Sequence, residues 1–434
     1  MTVSSAGKSM TVRQAAFIGV GAMVGAGIFA LLAPAGQIAG AAVWVSFLIA
    51  GLIAALQGYS FGKLGSKFPS GSGLIEYVSR GFGEGHFTGI TAWLAFGSQF
   101  IVTAMVATSF GGYASAMFAN DDVVWAKVFT ALLVIGVAVL NIVGTAAVTK
   151  AQGLIVRVVI GILTVFALVT LFTADWTLLA PSGYPSLRMI FSSVALTFFA
   201  FLGFGVITFT AKDLSEPKRQ LPKAMYIALG IATVVYIAIA MGVYGALTVD
   251  EVIAAGDTAV AEAAKPALGD AGYVLMAVTA IFATAGATNS GIYPSIGLSQ
   301  DLAKKRQFPP VFGRSWGRVP VGLAAMVGGT LVLAMLFDLS AIASIGSAVA
   351  LLIFTFVTIS HLRVRDQTGA RAWVLVVGLV TLLATLFSFA TTTLVEEPAT
   401  ATALVVLLLL AVGLDLWWKH VRPAEAAQVQ EPAG

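Results

Sequence analysis

The sequence contains no cysteine among its 434 residues, which excludes a disulfide framework and any thiolate metal centre. Histidine is nearly absent as well. His86, His361 and His420 lie far apart near the ends of apolar segments, so they offer no paired ligands and no nucleophile–base constellation. Asp, Glu, Lys and Arg together make up only 10% of the chain, against roughly 25% in a soluble domain. Such a chain cannot cover a soluble surface. The N-terminus, MTVSSAGKSM, lacks the short apolar core and small-residue cleavage site of a removable signal peptide. No linker or shift of composition marks a soluble domain.

What is there instead is apolar: 59% hydrophobic residues and a mean hydropathy of +0.95, which reads as an all-α polytopic membrane protein. Apolar runs near the ~20 residues that span a bilayer fall at 12–36, 42–66, 87–118, 123–144, 152–174, 188–211, 224–248, 271–298, 319–337, 341–362, 371–391 and 401–418. That predicts twelve helices, the third and eighth long enough to be tilted. Between the second and third runs, FPSGSGLIEYVSRGFG predicts a short surface helix on LIEYV. TVDEVIAA, between the seventh and eighth, predicts a second helix that does not span. Beyond Pro423 the tail is polar and expected to be disordered.

Placing the N-terminus in the cytoplasm puts 21 of the 24 Lys and Arg on that side, with only Lys127, Arg188 and Lys265 opposite. The positive-inside rule then predicts both termini in the cytoplasm of a cell membrane. The same asymmetry accounts for the net charge of +4 without an anionic or nucleic-acid partner. Tryptophans at segment ends, among them Trp44, Trp125, Trp176 and Trp373, fit an interfacial belt.

The first run holds four glycines within nine residues: Gly19, Gly21, Gly25 and Gly27 in GVGAMVGAGIF. Glycine in a helix interior costs roughly 1 kcal/mol against alanine. A spanning helix can break there only where its freed N–H and C=O groups meet protein or a polar cavity. A break at mid-membrane exposes the N–H-rich end of a half-helix, which suits an anionic group. Such glycines also serve merely to let helices approach, and both readings stand on spacing alone. A dinucleotide fingerprint is excluded, because it must follow a strand in a soluble domain. The sixth run, FSSVALTFFAFLGFGVITFTAKDLSEPKRQLPKAM, repeats the theme with Gly203 and Gly205 among aromatics. Interrupted helices at corresponding places in two halves point to a transporter site between repeats, so the first and sixth helices are expected to be unwound near Gly25–Gly27 and Phe201–Gly205, facing each other at mid-membrane. Runs one and six stand five apart, so the parsing is five plus five helices with two appended.

These stretches resemble the amino acid–polyamine–organocation permeases. VGAGIF is similar to that family's first-helix motif, and FFAFLGF with DLSEPKRQLPKA to its sixth-helix signature. FPSGSGLIEY and DLAKKRQFPPVFGR are similar to two of its loops, in the same order over residues 10 to 390. The resemblance implies a leucine-transporter-type fold and transport of amino acids or related amines, without cofactor or metal. Carried over, it places a substrate carboxylate on the N–H groups of Gly25, Ala26 and Gly27. It places the ammonium near the carbonyls of Met23, Phe199 and Leu202, beside Gly203. Ala26 replaces a serine found in many relatives, which removes one side-chain donor, and Phe199 stands where some relatives have an aromatic gate.

No Asp or Glu falls inside the third, sixth, eighth or tenth run, and small residues such as Ala95, Gly97, Thr284, Thr288 and Asn289 take the pocket positions. A buried cationic tail would want an anion, so the expectation is a neutral L-amino acid. Asn289 serves either the substrate or a neighbouring helix. Sodium-driven relatives of the fold use oxygen ligands between helices one and eight, and some proton-coupled ones a lysine on helix five. Here the nearest cation is Arg157, a candidate for coupling and equally for snorkelling to the interface. Proton coupling and exchange are the expected energetics. The alternatives are a cationic amino acid or polyamine antiporter and a sensor of the same fold. An enzyme lacks its catalytic groups here, and a channel its polar rings.

Overall fold

The apolar runs are helical in the computed structural model, which describes residues 10–24, 27–70, 73–143 and 146–428. Among the described residues, ten helical stretches are long and apolar enough to cross a membrane. Two shorter apolar helices, Val12–Val24 and Val321–Leu336, accompany them.

The first run is divided between α1 (Val12–Val24) and α2 (Gly27–Ala39). Gly25 and Ala26 between them lie outside the described residues. α3 (Val43–Lys67) leads into α4 (Leu74–Phe82), the short helix expected on LIEYV. Its Ile75, Tyr77 and Val78 are buried while Arg80 stays exposed, the pattern of a helix lying on a surface. α5 (His86–Phe118), α6 (Val123–Val143) and α7 (Ala146–Thr173) follow. The sixth run starts as α8 (Leu187–Phe199), and Leu202–Asp213 continues it as a 3-10 helix.

α9 (Pro217–Ala246) begins seven residues before its apolar run, since Pro217 is preorganised for the first helical position and has no N–H to leave unsatisfied. The expected outer helix is present as α10 (Val249–Ala255), with α11 (Ala259–Glu262) after it. Thr248 and Glu251 cap α10 reciprocally: the Glu251 carboxylate accepts from the Thr248 N–H at 2.7 Å, and the Thr248 hydroxyl accepts from the Glu251 N–H at 3.3 Å.

α12 (Lys265–Lys304) is bent at Gly269, whose φ is +63°. A small hairpin, β1 (Ser315–Trp316) and β2 (Val319–Pro320), precedes α13 (Val321–Leu336) and α14 (Leu339–Arg363). The remaining helices are α15 (Arg365–Thr368), α16 (Ala372–Thr391), α17 (Thr393–Glu396) and α18 (Pro398–Gln428). α18 continues through Pro423, so the tail expected to be disordered is helical as far as Gln428; residues 429–434 lie outside the described residues.

Burial separates centre from rim. In α14 83% of the most apolar window is buried, and in the α8–3-10 stretch 72%, whereas in α6 and α18 only 22% is. Helices apolar all round and buried all round form the middle; those apolar but exposed present their side chains to lipid.

One end of the bundle is tied together by basic residues. Glu76 of α4 pairs with Lys305 at 2.6 Å and with Arg80 at 2.7 Å. Burial works against the charged carboxylate, but the two cations win and hold it below its usual range. Arg363 lies 3.9 Å from the Phe82 ring centroid, and Trp418 of α18 donates to the Arg306 carbonyl at 3.0 Å. His86 and Lys419 both meet the fully buried Asp415, at 2.7 and 3.1 Å, which fastens α18 to the start of α5. At the same end the Met10 N–H donates to the Asp213 carbonyl at 2.8 Å, joining the start of α1 to the end of the 3-10 helix.

Candidate functional site

The first run crosses the sixth where the sixth changes its winding. α1 packs on the 3-10 helix and α2 on α8. The contact is backbone on backbone, and glycine permits it from both sides. A Cβ added at Gly203 would stand 2.5 Å from the Ala22 carbonyl carbon and 2.6 Å from the Met23 nitrogen. One added at Gly27 would stand 2.8 Å from the Ala200 Cα and 3.0 Å from the Tyr236 hydroxyl. Carbon atoms ordinarily rest about 3.5–4.0 Å apart, so neither position has room for a side chain.

The sixth-run interruption is not the unwound stretch expected over Phe201–Gly205. α8 ends at Phe199, and the chain rewinds as a 3-10 helix with i→i+3 hydrogen bonds: Phe201 N–H to Phe198 O at 3.0 Å and Phe204 N–H to Phe201 O at 3.0 Å. The narrower 3-10 coil keeps its backbone groups paired while bringing Gly203 against α1. At the change of winding the Ala200 carbonyl accepts from the Tyr236 hydroxyl of α9 at 3.1 Å, so a group that would otherwise end an α-helix unpaired is satisfied.

Of the residues predicted for a substrate site, Met23, Gly27, Phe199, Leu202 and Gly203 are brought together at this crossing. Gly25 and Ala26 lie outside the described residues. Phe199 is nearly fully buried, and its ring abuts Gly346 of α14 and neighbours Ile101 of α5 around that glycine. Aromatic side chains dominate: Phe198, Phe201 and Phe204 are all buried, and Phe201 meets the Tyr236 ring edge-on at 5.1 Å. Asn289 is drawn elsewhere. Its side-chain oxygen accepts from Asn141 of α6 at 2.9 Å, a bridge between helices. Thr284 and Thr288 donate to carbonyls of their own helix, Ala280 at 2.6 Å and Thr284 at 2.9 Å. Arg157 is exposed, and its Nε donates to Gly153 O at 2.9 Å.

Where α1, α7 and α12 meet there is a void of about 20 Å³ lined by Gly21, Val24, Ile155, Val156, Val159, Ile160, Ala283, Gly286 and Ala287. None of those side chains carries an oxygen or an amine, and Arg157 is not among them. A far larger cavity of about 520 Å³ lies at the end of the bundle opposite the basic residues. α2, α5, α6 and α14 form its walls together with the loop around α10 and α11, and Asp121, Asp257 and Asp338 line it beside Lys127. Sequence reasoning missed this cavity. Its residues come from five stretches of the chain, and only the acidic character of those loops hinted at it.

The amino acid permease family pattern matches residues 10–421. The chain belongs to that family. It is 33% identical to an uncharacterized protein of Methanocaldococcus jannaschii over 87% of each chain. It is 30% identical to the inner membrane transport protein YbaT of Escherichia coli, over 86% of this chain and 87% of that one. A vacuolar cationic amino acid transporter of Arabidopsis thaliana is 27% identical, over 82% of this permease and 60% of the relative. The multi-pass membrane setting and the transporter class follow from the family and the apolar helices together.

Proposed function

We propose that this permease is a secondary transporter that moves a neutral L-amino acid across a cell membrane by alternating access. The single observation that carries the reading is the crossing of the first and sixth runs, a glycine of each seated on the other's backbone. With the first helix breaking at its glycines, such a crossing brings half-helix ends of opposite polarity to one point, which suits a zwitterion. The substrate carboxylate takes the N-terminal end of α2, at Gly25, Ala26 and Gly27. The ammonium takes carbonyls near Met23, Phe199 and Leu202.

The architecture we infer is twelve spanning helices: α1–α2, α3, α5, α6 and α7, an inverted repeat α8–3-10, α9, α12, α13 and α14, and then α16 and α18. Two correspondences support it. The first helix of each half carries a glycine-rich stretch, and a non-spanning helix follows the second of each half, α4 in one and α10–α11 in the other. Basic loops put the α4 end in the cytoplasm with both termini, so the 520 Å³ cavity opens outward. The aliphatic junction of α1, α7 and α12 offers no side-chain ligand to sodium, which favours protons or exchange as the coupling. Arg157, exposed and bonded to its own helix, anchors α7 at the interface and takes no part.

A cationic substrate is the second reading, favoured by the name of the Arabidopsis relative. The side chains gathered at the crossing are apolar or phenolic, which favours the neutral one. Counterflow in proteoliposomes with a panel of competitors tests both. Displacement by alanine, serine or leucine ahead of arginine, lysine and polyamines is expected. Arginine ahead of all would reverse the substrate assignment, and absence of counterflow with any amino acid would remove the transport reading.

A further inference from the structure

Among the acidic groups that line the large cavity, one differs from the rest. Asp338 caps α14, accepting from the Ala341 N–H at 2.8 Å. Asp121 is exposed at a positive φ of 58°. Asp257 is partly buried, in the 3-10 turn between α10 and α11, and has neither a hydrogen bond nor an ion pair among the described residues. Lys127, the cation of the cavity, donates to the Met335 carbonyl at 2.9 Å instead.

The Asp257 side chain is pressed directly onto α5. A Cβ added at Gly112 would stand 2.8 Å from the Asp257 Cβ and 3.0 Å from its Cγ. The next residue, Tyr113, is fully buried, and its hydroxyl has no hydrogen-bond partner among the described residues although it approaches the Val260 backbone. Asp257 and Tyr273 of α12 are the charged or titratable groups within electrostatic reach of that hydroxyl. From α2 the cavity receives Ala33, Pro34 and Gln37, none of them titratable. A carboxyl without a partner, beside an unpartnered hydroxyl and two like charges, therefore sits where α10 and α11 meet the transport helices.

We propose that Asp257 is the proton-binding group of this cavity: taking a proton lets the outer end close, and losing it holds that end open. The inference rests on the alternating-access reading. The step is a proton transfer from water to the carboxylate, and no other bond changes. Closure must expel water from the cavity and bury Asp257 near Asp121 and Asp338. As an anion it resists that burial, and as a neutral acid it does not. Burial first, and then Asp121 and Asp338, already push its pKa from 3.8 up to about 7 in the open cavity. The switch is thus poised at neutral pH, with closure on the acid side.

The absence of native cysteine makes the test direct. Thr108→Cys puts the sole thiol of the full chain in the cavity wall. Its labelling by a membrane-impermeant maleimide is read from pH 5.5 to 8.5, normalised at each pH to the unfolded chain because thiolate fraction also varies. Accessibility should fall several-fold from pH 8 to 6, with its midpoint near 7. Adding Asp257→Asn should leave it low at every pH. Asp121→Asn, benign at a positive φ, removes a like charge and should move the midpoint to lower pH. A flat profile in the parent, or an unchanged one with Asp257→Asn, overturns the inference. Counterflow persisting beside a flat profile would sink the proton site and spare the transporter reading; pH-dependent labelling without counterflow would do the opposite.

Discussion

Replacing Gly203 by alanine tests whether the crossing of the first and sixth runs is what organises this permease. The added methyl would lie 2.5, 2.6 and 2.7 Å from the Ala22 carbon, Met23 nitrogen and Ala22 oxygen. All three are backbone atoms of the last turn of α1, so no rotamer change relieves the contact. Relief needs a shift of about 1 Å to restore ordinary contact distances. Overpacking of this kind costs about 1–3 kcal/mol, partly offset by the ~0.5–1 kcal/mol that alanine recovers over glycine in a helix. Gly205, two residues on in the same 3-10 helix, is the control, because nothing lies within 4 Å of its added Cβ. Gly205→Ala should keep only the favourable part. Thermal unfolding in detergent should therefore separate the two alanines by about 1–3 kcal/mol, with Gly203→Ala the less stable. Displacing the half-helix ends should also cost it substrate counterflow. Two alanines indistinguishable in melting and transport would refute the crossing as described.

Three further outcomes are expected. Glu76→Gln should weaken the tie between α4 and the end of α12 and lower the melting temperature at pH 7. Because the Glu76 pKa is depressed, its contribution is present above the usual carboxylate range and is lost as pH falls through its lowered value. The difference from the parent chain should then shrink in acid, and a difference that grows there would contradict the pairing. Asp415→Ala strands Lys419 beside a position that is 0% exposed, and breaking a buried pair costs about 3 kcal/mol or more; an unchanged melting temperature would count against the His86–Asp415–Lys419 tie. In the competition panel, a cationic tail desolvated without an anion loses several kcal/mol, at tenfold in affinity per 1.4 kcal/mol, so lysine should trail leucine by at least an order of magnitude.

Substitution at Gly27 is a poorer probe of substrate than its place in the motif suggests. A side chain there meets Ala200 before it meets a substrate, so lost binding would report packing as well as chemistry. That residue illustrates how much was legible beforehand. Hydropathy alone located the spanning segments, because a bilayer sets segment length and forbids unpaired backbone. Local composition located the two non-spanning helices, on LIEYV and on TVDEVIAA. Glycine spacing marked where the first and sixth runs meet, and the family motifs gave the context. The sixth-run interruption was misjudged in kind, since composition does not distinguish an unwound stretch from a 3-10 coil that keeps its hydrogen bonds.

What only the tertiary structure decided depends on contacts between residues far apart in sequence. Glycine spacing is the same whether it serves a ligand or a neighbouring helix, and only the fold shows that Gly203 seats on Ala22 and Gly27 on Ala200. Asn289 and Asn141 stand 148 positions apart, and nothing local to either foretells their bridge. The large cavity has the same origin. Asp121, Asp257 and Asp338 are ordinary loop acids in the sequence, and they become a shared electrostatic problem only because the fold closes five stretches of chain around one space. Periodicity and composition report how each segment meets solvent or lipid; which segment it meets is settled by packing, and the distinctive chemistry of this chain lies in those meetings.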